Sequence, residues 1–384
     1  MNKAWPFALN FLLFAAMAFV VPFLVLYYQN LGFTGAQIGL LTGLTPLVTM
    51  VSAPVWTGMA DKTRRHRLIM SLAILVSVAI LALIPWFSVF APILLLVILY
   101  NAFSAPVLSF TDSATMFMLA DKKERYGRIR LGGTLGFGIA ASLAGLFVQD
   151  YGLRYAFWGG ALILFLALLV SQKLAFGEAK TGASIKQGVR ILLADRRWFL
   201  FLTLALAGGF ALAATNTYLF PYLKELGATE SVMGLALTLG TLSEIPVLFF
   251  GNRLLQRFKA NGLFLLAMTV TGSRLILFAA ARAPEFVLAL QLLNGLTFPA
   301  MWVAGVAYAD QNAPLGMRST AQGLFGAMVY GLGLAVGGFI GGPILESWGG
   351  HALYLIFGSI VLITVASVAL LQKRWSAALR RSEA

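Results

Sequence analysis

The chain has 384 residues, of which 60% are hydrophobic and only 11% charged, with a formal net charge of +14. Soluble domains carry about a quarter charged residues, and a mean hydropathy of +0.86 points to lipid as the solvent. Cysteine is absent and the only histidines are His66 and His351, so disulfides, thiol nucleophiles and soft-metal sites are not expected. No G-x-x-x-x-G-K-[ST] stretch is present to cradle ATP phosphates. The composition argues against an enzyme and an ATP-driven pump, and no cofactor is expected.

An apolar run of about 18 residues or more reads as a transmembrane helix. In chain order such runs fall near 5–28, 36–60, 68–88, 92–120, 127–149, 155–172, 197–222, 231–252, 262–281, 285–309, 319–344 and 352–371. The expected fold is an all-α membrane protein with twelve transmembrane helices in two six-helix bundles. The first run follows Asn2 and Lys3 and contains a weak cleavage-like Ala16-Met17-Ala18. It continues past Tyr27, beyond the roughly 7–15 residues of a signal h-region, so a retained first helix is expected.

The basic residues alternate between the two sides. Counted along these helices, 23 of the 28 Lys and Arg fall at the N-terminus, in every second loop and in the C-terminal tail. The other side holds Arg154, Lys224 and Arg282, and Arg130 and Arg274 lie within helices. This bias places both termini in the cytoplasm of a multi-pass protein of the cell (inner) membrane. Charges spread over loops facing a lipid bilayer do not form a nucleic-acid surface, which needs them gathered on one face.

The chain also repeats itself. Asn101 and Pro106 recur as Asn294 and Pro299, "NLGFTGAQIGL" recurs as "ELGATESVMGL", and "DYG" at 150–152 recurs as "SWG" at 347–349. The organisation expected is an N-terminal bundle over 1–172, a cytoplasmic linker over 173–196, and a C-terminal bundle over 197–384 with a short cytoplasmic tail. Internal repeats of this kind mark secondary transporters, with the solute site near the midplane between the halves. The glycines of "GGTLGFGIAASLAG" and "GLGLAVGGFIGG" read as close-packing positions between membrane helices.

Asp112, Arg130, Glu244 and Arg274 lie well inside apolar helices, one acid and one base in each half. A charge at the bilayer centre costs about 2.5–3.5 kcal/mol on an insertion scale, so the set suggests pairing across a cavity, and a direct Asp112–Arg130 pair is expected. Helical spacing groups Asn101, Ser104, Leu108, Asp112 and Thr115 on one face. It likewise groups Thr238, Thr241 and Glu244, and then Asn294, Thr297, Met301, Gly305 and Tyr308. Lipid cannot satisfy such stripes, so they are expected to face a wet cavity.

"FTDSA", "YGRIRLGG" with an acid 18 residues before its second Arg, "LSEIPVLFFGNRLLQRF", "GSRLILF" and "QLLNGLTF" together carry a resemblance. The chain resembles a major facilitator superfamily transporter of the oligosaccharide–proton symporter (lactose permease) type, closest to its phenylpropionate-permease branch. The resemblance implies that Asp112 and Arg130 bind solute and that Phe137 supplies a stacking ring. It also implies that Glu244 contacts solute and couples protons, aided by Arg274. The family's helix-ten His is Asn294 here, and its proton-carrying Glu is Thr297. Asn101 and Asn294 complete the expected solute-binding set. "GMADKTRRHR" resembles the superfamily's loop signature, with Arg64 in place of a glycine. There Asp61, Lys62 and Arg65 are expected to form a cytoplasmic gate.

The function expected is secondary active transport of a small polar solute, a sugar or glycoside or a small organic acid, by alternating access and with proton coupling. With Asn294 and Thr297 unable to titrate, Glu244 is the expected coupling acid, with Asp112 beside it as a second titratable group. The partners are a small-molecule solute, protons and the lipid bilayer, and the chain is expected to act as a monomer. The alternatives are a uniporter or efflux carrier of the same fold, or a non-transporting assembly or sensor protein.

Overall fold

The computed structural model describes residues 4–120, 125–177, 192–314 and 317–382. Among them every regular element is helical. The first half holds α1 (Ala4–Val20), α2 (Leu24–Asn30), α3 (Gly35–Thr63), α4 (His66–Leu83), α5 (Phe90–Leu119), α6 (Tyr126–Tyr151) and α7 (Leu153–Ser171). The second holds α8 (Arg196–Asn216), α9 (Leu219–Glu225), α10 (Glu230–Phe249), α11 (Gly251–Ala279), α12 (Pro284–Gln291), α13 (Phe298–Asn312), α14 (Arg318–Gly326) and α15 (Leu334–Ser382). The middle of the expected linker, 178–191, lies outside the described residues.

Ten of the helices, or eleven if the bent segment from Pro284 to Asn312 is one span, are long and apolar enough to cross a membrane. The twelve apolar runs therefore do not map one to one onto straight helices. Pro22 breaks α1 from α2 in a tight turn, since proline lacks the N–H a continuing helix needs. The longest apolar segment, Thr320–Arg374, is bent at Gly349, which has φ 75° and ψ 177°.

The sequence repeat returns as a repeat of backbone turns. Gly32 and Gly227 both have positive φ, and each is followed two residues on by the threonine, Thr34 or Thr229, that begins the next helix. Thr34 forms a reciprocal cap with Gln37, which satisfies donors the helix start leaves open. Gly152 and Gly349 also share positive φ. Arg64 and Lys259 are a third pair, at φ 56° and 57°. Arg64, standing where the loop signature has a glycine, thus adopts a left-handed conformation that glycine takes without strain.

Within the first half α1 packs on α6 and α7, α3 on α5, and α4 on α5 and α7. Within the second, α15 packs on α8 and α11, and α11 on α13. Between the halves α3 meets α15 and α6 meets α10. Both contacts are built from small residues at the end of the bundle away from the termini. A Cβ on Gly342 would meet Gly35 O at 2.2 Å, and one on Gly145 or Gly234 would meet Glu230 O or Ala141 O at 2.4 Å. Such approaches exclude any side chain and bring backbones together, as in membrane helix pairs generally. Thr42 adds hydrogen bonds to Gly338 O at 3.1 Å and to the Tyr218 hydroxyl at 3.2 Å. Toward the termini the contacts end: Gly58 has nothing within 4 Å of a built Cβ, and Phe249 is 79% exposed.

Candidate functional site

In the first half the site is centred on Asp112 of α5. The Tyr126 hydroxyl donates to Asp112 Oδ1 at 2.9 Å. Tyr126 opens α6, one turn before Arg130, and spacing of four residues puts both on one helix face. The Arg130 guanidinium lies 4.1 Å over the Phe14 ring of α1 and in electrostatic reach of Tyr126. Among the described residues no direct Asp112–Arg130 ion pair forms; the ion pairs are His66–Asp61, Lys224–Glu230 and Arg318–Asp310. In place of the expected direct contact, Tyr126 bonds the Asp112 carboxylate while Phe14 holds the Arg130 guanidinium on its ring face.

The second half repeats the plan with an amide. Glu244 Oε1 accepts from Asn294 Nδ2 at 2.8 Å. Asn294 Oδ1 accepts from Arg274 NH1 at 2.8 Å. Arg274 is 2% exposed, and a buried guanidinium must have its donors occupied. Its Nε donates to Leu290 O at 3.0 Å, NH1 reaches Thr297 Oγ1 at 3.4 Å, and NH2 donates to Gln291 Oε1. These acceptors lie where the helix breaks between α12 and α13, with the Asn294–Leu296 turn between them. The break matters chemically, since it aims three consecutive polar turns at one arginine.

A small cavity lies on the far side of Arg274, lined by Thr215, Thr271, Arg274, Thr297 and Met301 among others. It is inside the second half rather than between the halves, and it is lined by residues of α8, α11 and α13.

The segment Ala327–Gly333 between α14 and α15 is a π-helical turn. Such turns carry an extra residue and recur at functional sites. Tyr330 on this turn is 43% exposed and lies in electrostatic reach of both Glu244 and Arg130. Its ring packs on Trp302 and Phe298 at 5.1 and 5.9 Å. The turn is held by Gly209 against Val329 O and by Met50 of the first half over Gly331.

Several expected site residues face elsewhere. Asn101 donates to Val97 O at 2.8 Å and Thr45 Oγ1 at 3.3 Å, tying α5 to α3. Phe137 packs with Leu237 on an alanine cluster of Ala15, Ala18, Ala140 and Ala141. The stripe of Thr238 and Thr241 faces α6 rather than water: Thr238 Oγ1 bonds Gly138 O and Ser142 Oγ, each at 2.7 Å. In the helix-ten stripe, Met301 is buried and Tyr308 stacks on Phe201 at 4.3 Å. Polar faces on membrane helices are satisfied as well by a neighbouring helix as by water, which is why the stripes misled.

In this conformation Asp61, Lys62 and Arg65 form no ion pair with the second half among the described residues. Asp61 Oδ1 meets His66 Nε2 at 2.8 Å within its own loop, while Lys62 and Arg65 are exposed. His66 in turn stacks on Phe176 at 5.7 Å. The halves touch at the opposite end, and among the described residues Asp61 pairs with His66 alone.

Tyr126, Gln291 and Tyr330 went unselected in the sequence. Tyr126 could have been found from its four-residue spacing to Arg130, and Gln291 from its three-residue spacing to Asn294. Nothing in the sequence signals the π turn that presents Tyr330.

The MFS_1 like family matches residues 7–356. A maltose permease of Geobacillus stearothermophilus is 30% identical over 368 residues, covering 95% of this chain and 93% of that protein. A probable 3-phenylpropionic acid transporter of Escherichia coli (strain K12) is 24% identical, covering 92% and 93%. The crystal structure of a nucleoside transporter superposes with a TM-score of 0.86 at 18% identity, covering 97% of this chain and 100% of that one, a likeness of fold. The relatives are transporters rather than enzymes. The chain belongs to the MFS_1 like family and is a multi-pass membrane transporter of the major facilitator type.

Proposed function

We propose that the protein is a proton-coupled secondary transporter of a small polar solute, a sugar or glycoside or a small organic acid, working by alternating access. The observation that carries this reading is the facing pair of half-sites. Asp112–Tyr126–Arg130 comes from one half and Glu244–Asn294–Arg274 from the other, with Tyr330 in reach of both. Carboxylates accept hydroxyl protons, guanidiniums donate to carboxylates or hydroxyls, and the aromatic shelf of Phe298, Trp302 and Tyr330 offers a flat apolar face.

The segments assemble into twelve passes in two six-helix bundles, 1–172 and 197–384, joined by the linker over 173–196. The bends at 292–297 and Gly349 divide the last passes, giving α12–α13 as the tenth and splitting α15 into the eleventh and twelfth. Both termini face the cytoplasm of the inner membrane, and the chain works as a monomer. With that orientation the glycine-lined seal lies on the outer side, so the conformation is inward-facing.

Glu244 is the coupling acid, being the cavity-side carboxyl tied to Arg274 through one side chain. The test is uptake by purified protein in proteoliposomes under an imposed pH gradient, with radiolabelled maltose, uridine and 3-phenylpropionate as probes. Accumulation of one probe above its equilibrium level, abolished by a protonophore, is the expected result. Equilibration without accumulation would make the protein a uniporter.

A further inference from the structure

We propose that Asn294 is a positioning residue that holds Glu244 as a hydrogen-bond acceptor, because Arg274 dictates which end of the Asn294 amide faces the acid. This rests on the reading of Glu244 as the coupling acid. A guanidinium carries donors and no acceptor, so the atom of Asn294 that meets Arg274 at 2.8 Å must be its oxygen. The nitrogen is then turned to Glu244, also at 2.8 Å. An amide N–H bonds a carboxylate roughly twice as strongly as a neutral acceptor, so the bridge favours the ionised acid. A flipped amide, able to accept a proton from Glu244, would set its own N–H groups against those of Arg274.

The surroundings keep the bridge oriented. The acceptors given to Arg274 are all neutral: Leu290 O, Gln291 Oε1, Asn294 Oδ1 and Thr297 Oγ1. The Thr297 hydroxyl donates to Asn294 O at 2.6 Å and so offers Arg274 its lone pairs. The charged and titratable groups facing Glu244 are Arg274 from α11 and Tyr330 from the π turn. On α6, which packs against α10, Arg130 is placed over Phe14, and the other charged residues, Arg128 and Asp150, lie near the two ends of the helix. The α12–α13 break contributes only the neutral Asn294 and Thr297. Movement of Arg274 during the transport cycle releases the amide to turn, and only then does Glu244 gain an acceptor for its proton.

The test uses the full-length protein without any solute. Dicyclohexylcarbodiimide modifies protonated carboxyls in apolar surroundings, and peptide mapping reads Glu244 and Asp112 separately across a pH series. N294L, which removes the donor, should raise modification of Glu244 roughly tenfold at a given pH, the effect of one hydrogen bond to a charged group, and leave Asp112 unchanged. N294V removes the donor without adding a charge, so it should also raise Glu244 modification and decides the matter if N294L does not fold. Q291L removes the acceptor of Arg274 NH2 but leaves the NH1 contact that orients the Asn294 amide, so it should not raise Glu244 modification. Unchanged Glu244 modification in the folded Asn294 variants overturns the proposal, as does an equal rise at Asp112. Because no solute is present, failure of proton-coupled uptake in the wild type leaves this result standing, and a null result here leaves the uptake result standing.

Discussion

Glu244 and Arg274 face each other across a single amide, that of Asn294, which donates to the acid and accepts from the base at 2.8 Å on each side. In the first half the Tyr126 phenol donates to the Asp112 carboxylate, and Arg130, one turn on from Tyr126, lies over Phe14. Each half thus keeps an acid and a base close without direct contact. A bridged charge that moves from its counterpart can keep a neutral hydrogen-bond partner, as Glu244 keeps the Asn294 amide and Arg274 keeps Leu290 O and Thr297 Oγ1, whereas parting a direct buried pair strands both charges.

Glu244→Gln keeps the shape of the site and removes its titration. In proteoliposomes this variant should lose accumulation against a gradient while retaining counterflow exchange of the probe that the wild type carries. Continued accumulation driven by a pH gradient alone would remove Glu244 from the coupling role.

Asp112→Asn still offers the Tyr126 hydroxyl an oxygen, so the variant should fold with a melting temperature close to wild type. Solute affinity should fall by tenfold or more, roughly the worth of a hydrogen bond to a charged group. Binding isotherms and thermal melts on the same preparation separate the two effects, and unchanged affinity would sink the assignment.

Tyr330→Ala removes both ring and hydroxyl from the point between the half-sites, whereas Tyr330→Phe removes only the hydroxyl. Solute affinity should fall in both, more in the Ala variant, since an aromatic contact adds about 0.5–1.5 kcal/mol beyond its buried area. Equal affinities for the wild type and both variants would show that Tyr330 faces an empty part of the cavity.

Gly342→Leu places a side chain where a Cβ alone would meet Gly35 O at 2.2 Å. It should force the sealed end open. The chain has no cysteine, so a single cysteine at Ser142, isosteric with the hydroxyl bonded to Thr238, reports access without background. Maleimide labelling at this site from the sealed side should increase several-fold in the Gly342→Leu variant. No increase would mean that the seal is not held by the glycine contact.

Gly152 has φ 98° and ψ 165°, a region that is essentially restricted to glycine. Gly152→Ala should cost about 1–3 kcal/mol, read as a lower melting temperature. Gly58→Ala, inside α3 at a site with open space and no positive φ, should not lower the melting temperature, since alanine is the better helix former, and serves as the control.

The sequence alone carried the solvent, the helical class and the internal repeat. Apolar length dictates a membrane helix because lipid satisfies no backbone polar group, and that constraint is local. The repeat was legible because positive-φ turns need glycine at fixed places, and Gly32, Gly227, Gly152 and Gly349 stand at them. The four buried charges were legible for a similar reason, since each is conspicuous against its own helix. What only the tertiary structure decided is which polar groups meet. Thr238 and Thr241 share a face with Glu244, yet the closeness of α6 at Gly138 turns Thr238 into an inter-helix bond and packs the Thr241 methyl against the glycine. Asp61 was expected in a cytoplasmic gate, and whether it meets the second half depends on which end is closed: here the halves meet at the other end and Asp61 pairs with His66. Spacing along a helix fixes a face; what lies opposite that face is set by how closely the neighbouring backbone can approach, and that is a property of two helices at once.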